Sequence, residues 1–282
     1  MKRVLIAGKD SYIGDRLNAW LDSACIRCET LDMRGDAWQS HDFSGYDSVV
    51  LVAGIAHQRE TDANRALYDQ VNHRMAAEAG RKAKAEGVKQ FVFFSSMSVY
   101  GMEVGRIHAD TPERPVTAYG QSKLDAEMAL RALEDGTFHV AILRPPMIYG
   151  PGCKGNYPRL SQLIRRLRVF PSVRNERSML YIDTLCAFMD SLLQSGNGGL
   201  YFPQNSAYVS TDALARAIAR AHCMKLWQPR GFGWLLKWIG QNGGMIGKVF
   251  GTLTYDLSMS EAFMPKIQPT LIQSIFATEA VK

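Results

Sequence analysis

The chain has 282 residues, of which 46% are hydrophobic and 21% charged, and a net charge of +6. That is an ordinary globular composition. It excludes a disordered or fibrous chain and allows one large α/β domain, alone or with a small annex. Five cysteines without secretory context argue against a disulfide framework.

The opening MKRVLIAG offers only about five apolar residues before a glycine, too few for a signal peptide or a membrane span, so the expected location is cytoplasmic. The RVLIA within it (3–7) reads as the first strand. Further short β-branched or aromatic runs follow as IRCETLD (26–32), SVVLVA (48–53), QFVFFS (90–95) and HVAILR (139–144). Helical patterns fall between them over 12–23, 65–86 and 118–134. Such alternation predicts an α/β fold with a doubly wound parallel sheet, its strands almost continuously apolar because both faces are covered. Cys25 and Cys28 form a lone C-x-x-C at the start of the second run, where a structural role is the simpler reading.

After Arg144 the rhythm changes to Pro- and Gly-containing loops. A basic helix is expected at 160–168, a strand in SMLYID, a helix at 182–194, and a helix capped by Ser210. Residues 1–150 are therefore expected to form a Rossmann dinucleotide-binding domain, with 151–282 a smaller substrate-binding region interleaved with it. The apolar stretch 231–251 is interrupted by Lys237, Gln241, Asn242 and glycines. It reads as packed or interfacial helices, with membrane-surface contact the minor alternative and a membrane span excluded.

The excess positive charge suits an anionic partner. Basic residues are scattered apart from 158–177, and aromatic residues are not interleaved with them. A small anionic ligand is therefore expected rather than nucleic acid. Directly after the first strand, GKDSYIG places Gly8 and Gly14 where a strand-to-helix turn would cradle a pyrophosphate against a helix N-terminus. Ser11 stands at the middle glycine position, where its side chain either loosens the fit to the phosphate or donates its hydroxyl to it, two readings the sequence leaves open. Asp32 closes the second run about where an acid accepts the adenosine ribose hydroxyls, which favours NAD, whereas Lys9 and Arg34 beside it leave NADP open.

Ser96 follows the fourth run, at the carboxyl end of a strand where ligands of open α/β sheets sit. Tyr119 and Lys123 are four apart on a predicted helix and so share a face. The glycine-rich turn, SSMSVYG, Y-x-x-x-K and RPPMIYGPGCKGN together resemble the extended short-chain dehydrogenase/reductase family, the nucleotide-sugar epimerases and dehydratases, over essentially the whole chain. The resemblance is nearest to the UDP-glucose 4-epimerase group.

The resemblance implies a NAD-dependent enzyme acting on a UDP-sugar or related nucleotide sugar, without a metal. Tyr119 would be the acid-base, its phenol lowered by the Lys123 ammonium, with Ser96 holding the reacting oxygen. Lys123 would also bind the nicotinamide ribose. The cofactor set would comprise Gly8, Ser11, Tyr12, Ile13, Gly14, Asp32, Arg34, Asp42 and Phe43, then Val52, Ala53 and Gly54, with Lys123 and Pro146. Asn156 and Arg177 would join Ser96 and Tyr119 on the substrate. Asn72 resembles a family asparagine, with a purely structural role equally open, and His57 is a weaker ligand candidate. Relatives often dimerise through the helix bearing Tyr119, which implies a homodimer.

Dehydratases carry an Asp-Glu pair where this chain has Met97 and Ser98, so elimination of water is not expected. Relatives that epimerise next to a ketone use a cysteine that this loop lacks. A UDP-hexose 4-epimerase is the preferred reading, a 4-keto reductase of a nucleotide sugar the alternative, and an inactive dinucleotide sensor a third.

Overall fold

The computed structural model describes residues 2–24, 26–56, 61–173, 175–229 and 250–280. Five of its strands are the predicted runs: β1 (Arg3–Ala7), β2 (Arg27–Leu31), β3 (Ser48–Leu51), β4 (Gln90–Phe94) and β6 (His139–Leu143). With β9 (Gly199–Tyr201) they make a six-stranded sheet in the order β2-β1-β3-β4-β6-β9, every pair parallel. Three-residue strands form two further parallel pairs: β5 (Gly105–Ile107) with β10 (Leu253–Tyr255), and β7 (Met147–Tyr149) with β8 (Met179–Tyr181).

β3 and β4 are buried along their whole length, and β1 and β6 are buried in all but their first residue. Covered faces on both sides explain their continuous apolar runs. β2 corrects the expectation for its run. It is an edge strand with Arg27 and Glu29 exposed, so only part of it contacts the core.

The helices are α1 (Tyr12–Ser23), α2 (Asp62–Tyr68), α3 (Met75–Ala85), α4 (Ala118–Arg131), α5 (Asn156–Leu167), α6 (Ile182–Ser195), α7 (Thr211–Ala221) and α8 (Leu271–Glu279). A π-helical turn, Asp69–Arg74, joins α2 to α3, so the single helix expected over 65–86 is an interrupted one. One core cluster packs α1, α6 and α7 against one face of the sheet, and a second packs α3 and α4 against the other. Ser210 caps α7 as predicted, its Oγ accepting from the Ala213 N–H at 3.3 Å. The stretch 231–251 lies almost wholly outside the described residues. Among the described residues no helix is long and apolar enough to cross a membrane.

The chain runs from β1 outward to β2, then returns to the other side of β1 as β3. That reversal opens a crevice at the carboxyl ends of β1 and β3, the usual seat of a ligand in such sheets.

Candidate active site

At the carboxyl end of β1 the backbone is too tight for side chains. Gly8 has φ +142°, and a Cβ there would lie 2.6 Å from Val52 Cγ2 and 2.8 Å from the Ala53 nitrogen. A Cβ at Gly14 would lie 2.6 Å from Ser11 Oγ. Ser11 caps α1: its Oγ accepts from the Gly14 N–H at 3.2 Å and donates to the Gly8 carbonyl at 2.6 Å. The hydroxyl proton that a phosphate would draw on is therefore already engaged. What remains for an anion is the open end of α1, where the N–H groups of Tyr12 and Ile13 lie in a first turn that supplies them no intrahelical acceptor. The Tyr12 hydroxyl is buried without a hydrogen-bond partner among the described residues, and a Cβ at Gly150 would come within 2.8 Å of it. A glycine-built cradle facing a helix N-terminus fits a dinucleotide pyrophosphate.

Asp32 lies just past β2 and is clamped by Arg34. The guanidinium Nε donates to both carboxylate oxygens at 2.8 and 3.0 Å, and Nη2 reaches Asp32 at 2.6 Å and Asp10 at 2.9 Å. This contact holds the Asp32 carboxyl down at about 2. Acid and base, which pulled the cofactor reading in opposite directions, thus form one exposed pair at the rim. Asp42 is exposed and accepts from the Ser44 N–H at 2.9 Å. The Phe43 ring is wholly buried in the core, so any contact it makes with a ligand is through its backbone. Val52 and Ala53 both donate their N–H to the Ala7 carbonyl at 3.0 Å, fixing the β3 end beside Gly8, and Gly54 follows exposed.

Ser96, Tyr119 and Lys123 converge past the carboxyl end of β4. Thr117 caps α4, its Oγ1 accepting from the Gly120 N–H at 3.0 Å, which starts the helix one residue before Tyr119. A Cβ at Gly120 would meet the Ser98 carbonyl at 2.6 Å, so only glycine lets α4 approach the serine loop this closely. Ser96 Oγ donates to Ser98 Oγ at 3.1 Å and accepts from the Ser98 N–H at the same distance. Tyr119 packs edge-on against Tyr68, ring centroids 6.1 Å apart.

Lys123 is buried. Its Nζ donates to the Phe94 carbonyl at 2.7 Å and sits 4.6 Å from the centroid of the Phe93 ring. Burial brings the ammonium down to about 8 against the pull of Glu127. The expected lowering of the phenol by Lys123 is not what the site shows. Burial raises the Tyr119 phenol, and the group acting to lower it is the Ser96 side chain. The ammonium is turned to the end of β4 instead.

Beneath these residues lies a polar network the sequence reading did not identify. Arg144 and Glu127 are fully buried and form a bidentate pair at 2.9 and 2.6 Å; Arg144 also reaches Tyr100 at 2.7 Å and Glu113 at 2.8 Å. Glu127 further accepts from Ser95 and Arg131. Its signal in the sequence was the acid one helical turn after Lys123. Asn72, on the π-helical turn, accepts from the Ile55 N–H at 2.9 Å and donates to the Ile55 carbonyl at 3.0 Å and to Ser122 at 3.2 Å. It therefore ties the loop after β3 to α4. Pro146 is buried just before β7, and the adjoining Pro145 carbonyl accepts from Met97 at 3.2 Å.

Of the two further residues expected at the substrate, Asn156 begins α5 and is exposed, whereas Arg177 pairs its backbone with Val209 at the entrance to β8. No hydrogen bond joins the two. The Arg177 guanidinium donates to the Gly251 carbonyl at 2.9 Å, has no carboxylate partner among the described residues, and is lowered by burial. A half-buried cation without a counter-ion is suited to an anion. His57, Cys25 and Arg174 lie outside the described residues. Burial pushes the Cys28 thiol up to about 11, against any thiolate chemistry.

A switch-point crevice with a glycine cradle, next to a serine, a tyrosine and a lysine, defines a dinucleotide-dependent enzyme of the short-chain dehydrogenase/reductase kind. The chain belongs to the NAD dependent epimerase/dehydratase family, whose model matches residues 4–201. It is 29% identical over 226 residues to the UDP-glucose 4-epimerase of Vibrio cholerae, covering 76% of this chain and 69% of that one. It is also 29% identical over 220 residues to the N-acetyl-alpha-D-glucosaminyl-diphospho-ditrans,octacis-undecaprenol 4-epimerase of Escherichia coli O157:H7, covering 70% of this chain and 64% of the relative. Among solved structures, the NAD complex of UDP-glucuronic acid 4-epimerase from Bacillus cereus shares the fold, with a TM-score of 0.77 and 17% identity over 99% of this chain and 96% of that one.

Proposed function

We propose that the protein is a UDP-hexose 4-epimerase of the UDP-glucose 4-epimerase type, acting by transient oxidation at C4 as a cytoplasmic homodimer. The observation that carries the reading is the convergence of Ser96, Tyr119 and Lys123 at the carboxyl end of β4, beside a cradle fit for a dinucleotide. Both relatives described above are named as 4-epimerases of a diphosphate-linked sugar, which supports C4 as the reacting carbon.

NAD, when bound, supplies the reversible hydride acceptor. The chain's own residues do the rest. Tyr119 takes the C4 hydroxyl proton and returns it, and the Ser96 hydroxyl holds that oxygen in line. Lys123, its ammonium held at the end of β4 by the Phe94 carbonyl, binds the nicotinamide ribose. Arg177 holds the substrate diphosphate, with Asn156 beside it. Met97 and Ser98 provide no acid-base pair for elimination.

The test is conversion of UDP-galactose to UDP-glucose by purified protein without added reductant. Tyr119→Phe should lower kcat by about two to four orders of magnitude while leaving bound NAD in place; an unchanged rate would refute the assignment. One observation favours a second reading: Arg34 at the ribose end of the cradle suits the extra phosphate of NADP. A 4-keto reductase would consume NADPH stoichiometrically with a 4-keto nucleotide sugar and would leave UDP-galactose untouched.

A further inference from the structure

Helix α5 buries Tyr157, Ser161 and Ile164 and turns its opposite side outward. That outward side carries Arg159, Leu163 and Arg166, spaced so that they share one face, and the helix ends in exposed Leu167 and Arg168. The segment after it, 168–170, runs beside Trp227. Trp227 N–H donates to the Arg168 carbonyl at 2.9 Å, and Phe170 N–H donates to the Trp227 carbonyl at 3.0 Å. The exposed side chains here are unusually apolar for a surface: Trp227 is 68% exposed, Leu167 54% and Leu163 47%.

The charge of this face is one-sided. The chain has no acidic residue between Asp135 and Glu176, and none between Asp212 and Asp256. The fold lays these two acid-free stretches together, α5 against α7 and 168–170 against 227. Arg159, Arg165, Arg166 and Arg168 have no carboxylate partner among the described residues. The nearby acids are already engaged: Asp212 with Arg216, and the nearly buried Glu279 with His222 and Tyr157.

We infer that this face is a docking surface for an anionic phospholipid bilayer. Unpaired arginines would meet the headgroup phosphates, and Trp227, Leu163 and Leu167 would enter the headgroup boundary, where an amphipathic ring and short aliphatic anchors are most favourable. Charge complementarity selects this occupant. A second copy of the same face would oppose cation to cation, and a nucleic acid would leave the aliphatic side chains without partners. The apolar stretch 231–251, with two further tryptophans and two lysines, follows Trp227 by a few residues in the chain. Helix α5 begins at the proposed substrate residue Asn156 and reaches this face about 18 Å further on. Docking would therefore hold the active-site mouth close to the bilayer, whichever sugar the enzyme uses.

The test is co-sedimentation of the full chain with vesicles of phosphatidylcholine alone or mixed with phosphatidylglycerol, across a salt series. Binding is expected with the anionic vesicles only and should fade as salt rises. Arg165→Glu/Arg166→Glu should weaken it by at least about tenfold, since four units of charge change at the surface. Trp227→Ala should weaken it severalfold with the salt dependence kept. All three positions are exposed, so an unchanged melting temperature shows that the variants fold. Equal pelleting with neutral vesicles, wild-type binding by the charge-reversal variant, or tighter binding to double-stranded DNA than to anionic vesicles would each overturn the inference.

Discussion

Lys123 should leave a pH signature in stability as well as in catalysis. Its folded pKa of about 8 lies below the ordinary lysine value because burial penalises the charged form. Below about pH 8 both the folded and unfolded chains hold the proton, and the folded state bears the full cost of the buried charge. Between about pH 8 and pH 10 the unfolded chain binds more protons than the folded one, so stability should rise with pH by up to about 3 kcal/mol. Chemical denaturation of wild type against Lys123→Met over that range checks this, because the variant should lack the rise; parallel curves would show the lysine to be solvated. At Gly8 the constraint is steric. Gly8→Ala places a Cβ against Val52 and Ala53 at a φ that L residues rarely adopt, and should cost about 1–3 kcal/mol together with loss of bound cofactor. Retention of NAD at wild-type levels by that variant would count against the cradle.

At the scale of elements, the decisive joint is between α4 and β6. Tyr119 and Lys123 depend on α4 being held at a fixed height over the end of β4, and the Arg144–Glu127 pair is what ties that helix to the neighbouring strand. Glu127→Leu leaves the buried Arg144 with only the partly exposed Glu113 as counter-ion, so it should destabilise by up to about 3–5 kcal/mol in urea titrations. Arg144→Met/Glu127→Leu should recover most of that loss in stability. If activity stays low in the refolded double variant, the pair orients the tyrosine as well as supporting the fold. The π-helical turn acts on the same helix from the other side, since it turns Asn72 inward to Ile55 and Ser122.

For the whole molecule, cofactor binding should be visible as cohesion between the halves of the crevice. NAD at about a hundred times its dissociation constant should add about 2.7 kcal/mol, read as a rise of several degrees in melting temperature. A Gly8→Ala chain should show no such rise, and an equal rise in both would place the nucleotide elsewhere.

The main strands were legible in the sequence because a strand covered on both faces must be apolar throughout, and α1 and α4 because their helical patterns follow directly on a strand turn or a loop; the capping by Ser11 and Thr117 became visible only in the structure. The three-residue strands β5, β7, β9 and β10 were not legible, since so short a run has no period to read and exists only where a partner lies alongside. Tyr119 and Lys123 could be paired in advance because helical spacing is a local property. That the ammonium faces the Phe94 carbonyl, that Phe43 is core and that Asp32 is clamped by Arg34 depended on contacts between distant segments. The sequence by itself determined the alternating α/β order, the glycine turn and the spacing of Tyr119 and Lys123, all set by local sterics and periodicity. Only the tertiary structure decided the strand order, the buried Arg144–Glu127 joint and the meeting of two acid-free stretches, because charge, burial and proximity are shared by residues that the chain keeps far apart.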